Sequence, residues 1–179
     1  MNDYIETEVK IPNINPDELI KALEKLGALK VFDDDRNYIT LDFEDKRLTK
    51  KGEEIRLTEE GKLKLSFDRR LDTGRKETIK VFVSRKEEML AFLNRIGINP
   101  IAEVKSHRIS FEWKGVDFDL DVFPKIPPFL EIDVGGTDVS LNEVIEKLGL
   151  QGKEIVTLST KEIYKANGLD YFELFKTNS

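Results

Sequence analysis

Cysteine is absent from this 179-residue chain, and histidine occurs once, at His107. The first absence excludes disulfides and thiolate metal sites; the second excludes a histidine-rich zinc centre. There are two methionines and one tryptophan. No apolar run approaches the ~18 residues of a membrane-spanning helix, and the N-terminus carries no signal-peptide core. A soluble, cytoplasmic protein with no membrane partner is the expectation. Basic excess is missing too: 29 Lys and Arg face 35 Asp and Glu, for a formal net charge of −6. That balance argues against nucleic-acid binding by bulk electrostatics but allows a local basic pocket. Charged residues still make up 36% of the chain and hydrophobic ones 39%, enough apolar material for one sizeable core. A single domain over residues 1–179 is expected.

Four segments carry a helix-start pattern, a capping residue followed by glutamate: Asn15 to Glu18, Ser84 to Glu87, Ser140 to Glu143 and Ser159 to Glu162. The first three continue as apolar stripes and stop at Gly27, Gly97 and Gly149. The fourth predicts a C-terminal helix over about 159–168 with a tail after it. Between the helices the period switches to two, which predicts strands at 4–11, 29–44, 52–59, 62–70, 75–83, 99–112, 114–122 and 129–134. Helices ending at Gly27 and Gly97 lie 97 − 27 = 70 residues apart, each after a strand containing Glu-Thr. That spacing fits two related halves, and equally a coincidence of common residues.

The strands are unusual in the density of charge on their polar faces. In Glu6-Thr7-Glu8-Val9-Lys10, two carboxylates and an ammonium project from one face, while Ile5, Thr7, Val9 and Ile11 project from the other. Carboxylate oxygens are hard ligands suited to Mg²⁺ or Mn²⁺, and lysine is a point charge for phosphate. Asp117, Asp119 and Asp121 alternate with Val116, Phe118, Leu120 and Val122; Glu131 and Asp133 alternate with Leu130 and Ile132. Such rows belong either on a solvated outer face or, if the sheet curls, in a lumen of mixed sign.

In its ordered motifs the chain resembles the CYTH superfamily, the triphosphate tunnel metalloenzymes. Glu6, Glu8 and Lys10 match the N-terminal E-x-E-x-K strand. Arg56 matches a basic position on the third strand, and Arg75 with Glu77 an R-x-E strand. Lys105, Arg108 and Phe111 match a basic segment followed by an aromatic, Leu120-Asp121 a late leucine–aspartate, and Phe129 to Asp133 a terminal F-L-E-I-E. The stretch from Asp121 to Asp133 and the helix start at Ser159 are similar to the class IV adenylyl cyclase-like branch. The resemblance implies an α+β fold: an eight-stranded antiparallel closed β-barrel, a triphosphate tunnel, with helices packed on its outside. It implies an enzyme acting on ATP to give cyclic AMP and pyrophosphate. The alternatives are a triphosphatase for thiamine triphosphate, tripolyphosphate or a nucleotide, and a non-catalytic binding module for nucleotides or polyphosphate. It implies Mg²⁺ or Mn²⁺ held by Glu6, Glu8, Asp121, Glu131 and Asp133. Phosphate would be gripped by Lys10, Arg56, Arg75, Lys105 and Arg108, with Arg56 and Asp121 in catalytic roles. Self-association into a homodimer is left open. Lys105 and Arg108 differ in strand parity, so both reach a lumen only across a bulge. The chain departs from the pattern at Glu54 and Asp68, where basic residues are usual, and at Arg36, where the family has an aspartate.

Overall fold

The computed structural model describes residues 5–72 and 75–177. Their elements run in the order β1 (Ile5–Ile11), α1 (Pro16–Leu26), β2 (Leu29–Phe43), α2 (Arg47–Lys50), β3 (Glu53–Glu60), β4 (Lys62–Asp72), β5 (Arg75–Phe82), α3 (Lys86–Arg95), β6 (Ile98–Trp113), β7 (Val116–Val122), β8 (Phe129–Asp133), α4 (Leu141–Lys147), α5 (Thr160–Ala166) and α6 (Tyr171–Phe175). Tyr4, expected to open the first strand, lies outside the described residues, as do the side chains of Ile5 and Thr7. The expected eight antiparallel strands are present in a curled sheet with helices outside it, so the α+β class holds. The pairing order is β1-β5-β4-β3-β2-β6-β7-β8, and β1 is bonded to both β5 and β8. The β1–β5 seam is thin, with three register pairs: Ile5↔Glu77, Glu6↔Lys76 and Thr7↔Arg75.

The 70-residue echo has a structural counterpart. Shifting every strand four places along the chain maps the ring of pairings onto itself: β1–β8 becomes β5–β4, and β2–β3 becomes β6–β7. Helix α1 after β1 corresponds to α3 after β5. The seams β1–β5 and β2–β6 lie between the halves.

Local chemistry explains the boundaries. The Asn15 side chain accepts from the Asp17 and Glu18 amides, and Gly27 ends α1 at φ 85°, where a glycine is unstrained. Ser159 and Glu162 close a full capping box on α5. At α3 the expected cap is not used: the helix starts one residue later, at Lys86, and its N-cap Arg85 makes no side-chain capping bond. Lys114 and Gly115 both have positive φ, the two-residue turn that matches strand twist between β6 and β7. Two helices go beyond the expected set. The Asp42 carboxylate, buried and held below its usual pKa by amide and hydroxyl donors despite its desolvation, caps α2 at Leu48 and Thr49. Helix α6 occupies the stretch for which the sequence predicts a tail.

The convex face carries the apolar rows. Leu19 and Leu23 of α1 and Val144 of α4 pack on Ile11, Phe118, Leu120 and Ile132, with Val9 alongside; Leu93 of α3 packs with Ile39, Leu41 and Leu57. A third cluster seals one end. Tyr38, Val104 and Phe129 share strand parity with Arg36, Arg108 and Glu131, yet they pack with Phe123, Ile163, Tyr164 and Tyr171. Phe123 stacks on Phe129 at 5.8 Å and meets Tyr164 edge-on. The concave face is therefore charged along one stretch and closed by an aromatic stopper at the other. No helix among the described residues is long and apolar enough to cross a membrane, which leaves β-strand spans unaddressed.

Candidate active site

The concave face encloses a cavity of about 280 Å³ lined by ten carboxylates and nine lysines and arginines. Nearly equal numbers of opposite charges in one cavity decide its chemistry: many of these groups are neutralised by another wall residue. Period two brings them together. Glu6, Glu8 and Lys10 project inward from β1 as expected, and the register places Glu8 opposite Asp133 and Lys10 opposite Glu131. One strand further, Asp133 faces Asp117 and Glu131 faces Asp119. Strands β1, β8 and β7 thus form an acidic wall. The neighbouring arc of the sheet, β5, β4 and β3, contributes Lys76 and Lys80, Lys64 and Arg56.

Lys76 Nζ lies 3.0 Å from Glu6 and 2.5 Å from Glu8, and Lys80 Nζ lies 2.7 Å from Glu6. Burial works against the charge on Glu6, but these two lysines outweigh it and bring its pKa down to about 2. Lys10 bonds Glu8 and lies 3.0 Å from Glu131. Burial opposes the Glu131 charge, and Lys10 and Arg108 nevertheless hold its pKa well below the ordinary range. Arg108 gathers Asp119, Asp121 and Glu131. Arg56 meets Asp68 and donates to the Tyr38 hydroxyl at 2.7 Å. Arg56 Nε and Thr78 Oγ1 are among the buried side-chain atoms of the described residues that lack hydrogen-bond partners.

Asp117 behaves oppositely to Glu6. Burial raises its pKa, and the nearby carboxylates of Asp119, Asp133 and Glu112 raise it further. Crowding of carboxylates is the environment a cation relieves, and all the donors are hard oxygens, a set suited to a hard divalent ion. As they stand, no three acidic or histidine side chains among the described residues are gathered closely enough to hold an ion. Ligation by Glu6 or Glu8 requires them to leave their lysines.

Of the residues singled out in the sequence, Glu6, Glu8, Lys10, Arg56, Arg108, Glu131 and Asp133 share the cavity. Three others differ from expectation. Lys105 is exposed and outside it, because β6 runs without a bulge between Lys105 and Arg108; Ser106 takes the inward position. Arg75 stands at the rim, exposed and tied to Asp72, and Glu77 pairs with Arg69. The inward cation of β5 is Lys76, one residue on. Asp121 is fully buried behind the lining, engaged by Arg108 and by Arg36 at 2.8 Å.

The departures from the family pattern also find partners. Glu54 bonds Lys161 of α5 at 3.0 Å, and Asp68 holds Arg56. Arg36 bonds Asp121 and Ser106 and lies over the rings of Tyr38 and Phe123. His107 faces away from the cavity and bridges Asp33 and Asp35. Sequence reasoning missed Lys76 and Lys80 because the R-x-E match drew attention to the other parity. Their own alternation, Lys76-x-Thr78-x-Lys80, was the available signal.

The fold and site together define a class: a curled eight-stranded antiparallel sheet whose concave face presents acidic and basic walls to one cavity. No family model matches the chain, and no curated protein is similar to it at the level searched. Solved structures do match. The chain is similar to the PH1012 protein of Pyrococcus horikoshii (20% identity, 96% of this chain and 99% of that one, TM-score 0.71). It is similar to a protein of Vibrio parahaemolyticus described as a candidate adenylate cyclase (16% identity, 90% and 98%, TM-score 0.76). A Hippeastrum protein described as a candidate adenylyl cyclase with dominant triphosphatase activity also matches (13% identity, 93% and 96%, TM-score 0.60). At these identities the likeness concerns the fold alone.

Proposed function

We propose that the protein is a metal-dependent enzyme acting on a triphosphate compound within the charged lumen, in the cytoplasm. The observation that carries the reading is the gathering of two sets of charge around one cavity: Glu8, Asp133 and Asp117 on one arc of the sheet, and Lys76, Lys80 and Arg56 on the arc that adjoins it. The continuous ring of pairings through β1–β5 supports a closed barrel for this lumen. A divalent ion held by Glu6, Glu8, Asp133 and Asp117 would neutralise charge on the phosphoryl oxygens. Lys10, Arg56, Lys76 and Arg108 bind and orient the phosphate chain, and stabilise the charge that develops on the leaving phosphate. Arg56 suits this role because its Nε proton is buried and uncommitted.

Cyclisation of ATP and hydrolysis of a triphosphate make the same demands on this machinery. The lining favours hydrolysis. A purine needs an apolar or aromatic platform, and the cavity lining offers Tyr38 and Leu158 amid charge and hydroxyls. Arg36 and Arg56 already lie over the Tyr38 ring. The deciding experiment incubates the protein with ATP, thiamine triphosphate and tripolyphosphate, each with Mg²⁺ or Mn²⁺, and identifies the products. Free phosphate supports the triphosphatase, and cyclic AMP with pyrophosphate the cyclase. Binding without turnover of any of the three replaces the enzyme with a polyphosphate-binding module.

A further inference from the structure

Lys76 occupies a singular position in the charge lattice. It stands on β5 as the register partner of Glu6 across the seam between the two halves. Its ammonium reaches Glu6 at 3.0 Å and Glu8 at 2.5 Å, so one cation holds both carboxylates of the first strand. Lys80 adds a second hold on Glu6 from the rim, where its side chain is half-exposed. Next to Lys76 on the same inward row, Thr78 is buried with an unpartnered hydroxyl. A metal that takes Glu6 and Glu8 must displace Lys76, leaving a largely buried ammonium without a counter-charge. A polyphosphate that takes Lys76 must strip it from Glu6 and Glu8, leaving Glu6 to Lys80 and Glu8 to Lys10 alone. Either ligand alone thus weakens the compensation of a charge in the site, which is costly where the groups are half-buried. Both together restore it: metal on the carboxylates, phosphate on the lysine and the threonine hydroxyl.

We propose that Lys76 is the positioning residue that couples the two ligands, holding Glu6 and Glu8 until it passes to phosphate as a divalent ion takes its place, so that metal and polyphosphate bind cooperatively. This rests on the triphosphate reading above. Linkage makes the coupling reciprocal: whatever metal does for polyphosphate affinity, polyphosphate does for metal affinity. It also gives Lys76 a signature that a purely structural role lacks. Removing its charge should help one ligand and harm the other.

The test titrates wild type, Lys76→Gln and Lys76→Arg with each ligand alone. Mn²⁺ is followed by the electron-spin-resonance signal of the free ion, and tripolyphosphate by calorimetry in the presence of EDTA. Lys76→Gln is expected to bind Mn²⁺ roughly tenfold more tightly and tripolyphosphate roughly tenfold more weakly than wild type. Lys76→Arg is expected to restore the polyphosphate affinity and cancel the gain for Mn²⁺. Unchanged or weaker Mn²⁺ binding in Lys76→Gln overturns the coupling. Lys80→Gln, at the exposed rim, should show the same pair of opposite shifts in smaller measure, and it decides the matter if Lys76→Gln does not fold. Wild type that takes up no tripolyphosphate with or without Mn²⁺ overturns the triphosphate reading and the coupling together. Wild type that takes up both, with Mn²⁺ affinity unmoved by the variants, overturns the coupling alone.

Discussion

Glu6 and Lys76 face each other across the β1–β5 seam, at positions 70 residues apart that correspond in the two halves of the ring. The same shift takes Glu8 to Thr78 and Lys10 to Lys80. One half therefore presents E-x-E-x-K and the other K-x-T-x-K. The same strand position thus presents carboxylates in one half and ammonium and hydroxyl groups in the other.

The depressed Glu6 carboxyl predicts an acid dependence of stability. A carboxyl whose folded pKa is below its unfolded one contributes stability that is complete above the unfolded value, 4.5, and lost as pH falls through the folded value, about 2. The shift corresponds to about 3 kcal/mol at most. Urea denaturation of wild type should weaken between pH 4.5 and 2, and Glu6→Gln should remove its part of that slope. An identical slope in the variant would mean that Glu6 is not held by Lys76 and Lys80 in solution.

His107 titrates with the opposite sign. Its side chain bonds Asp35 and Asp33, which raise its pKa against the opposing effect of desolvation. The stabilisation is present in full below the unfolded value, 6.5, and is lost as pH rises through the higher folded value. The ring proton signals in an NMR titration should move at a pH above 6.5. Asp33→Asn/Asp35→Asn should return them to the ordinary value.

Asp121 is predicted to matter for the fold rather than for metal. It is fully buried between Arg36 and Arg108, and removing one member of such a set costs about 3–5 kcal/mol because a buried charge is left unpaired. Asp121→Asn should lower the unfolding free energy by an amount of that order while keeping any stabilisation by Mn²⁺. Unchanged stability with loss of the metal response would return Asp121 to the metal ligands.

Metal itself should raise the melting temperature, since an ion that binds the native state alone stabilises by mass action, about 2.7 kcal/mol at one hundred times its dissociation constant. The ligands predicted from the geometry include Asp117, whose carboxyl is pushed up by burial and by Asp119, Asp133 and Glu112. Asp117→Asn/Asp133→Asn should abolish the Mg²⁺ or Mn²⁺ shift in a calorimetric melt. A shift that survives in the double variant would place the ion elsewhere.

Strand boundaries and inward parity were legible in the sequence because period-two alternation is a local property. Val116 to Val122 announces which side chains share a face without any knowledge of its neighbours. What alternation does not reveal is which parity of an individual strand meets the cavity when charge lies on both. Lys105 and Arg108, or Arg75 and Lys76, are separated only by cross-strand register, which is set by tertiary pairing. Likewise α2 draws much of its capping from afar. The Leu48 and Thr49 amides are satisfied by Asp42, six and seven residues earlier in β2. The stopper of Tyr38, Phe123 and Tyr164 was hidden for a similar reason. Its aromatics come from distant segments and read singly as ordinary core.

Arg56 carries the prediction most specific to catalysis. Its guanidinium is anchored by Asp68 and the Tyr38 hydroxyl, and its Nε proton has no partner. Arg56→Ala would confound two effects, because Asp68 is buried and would lose its counter-charge. Arg56→Lys keeps the charge beside Asp68 but removes the planar fork, whose several fixed donors suit a phosphoryl group. The melting temperature should therefore change little. Turnover of the triphosphate that proves to be the substrate should fall by about a hundredfold in kcat, the scale of losing one donor aimed at developing charge. KM should move less than kcat, since the lost interaction is strongest in the transition state. A variant with wild-type kcat and raised KM would make Arg56 a binding residue only, and one with both constants unchanged would remove it from the site.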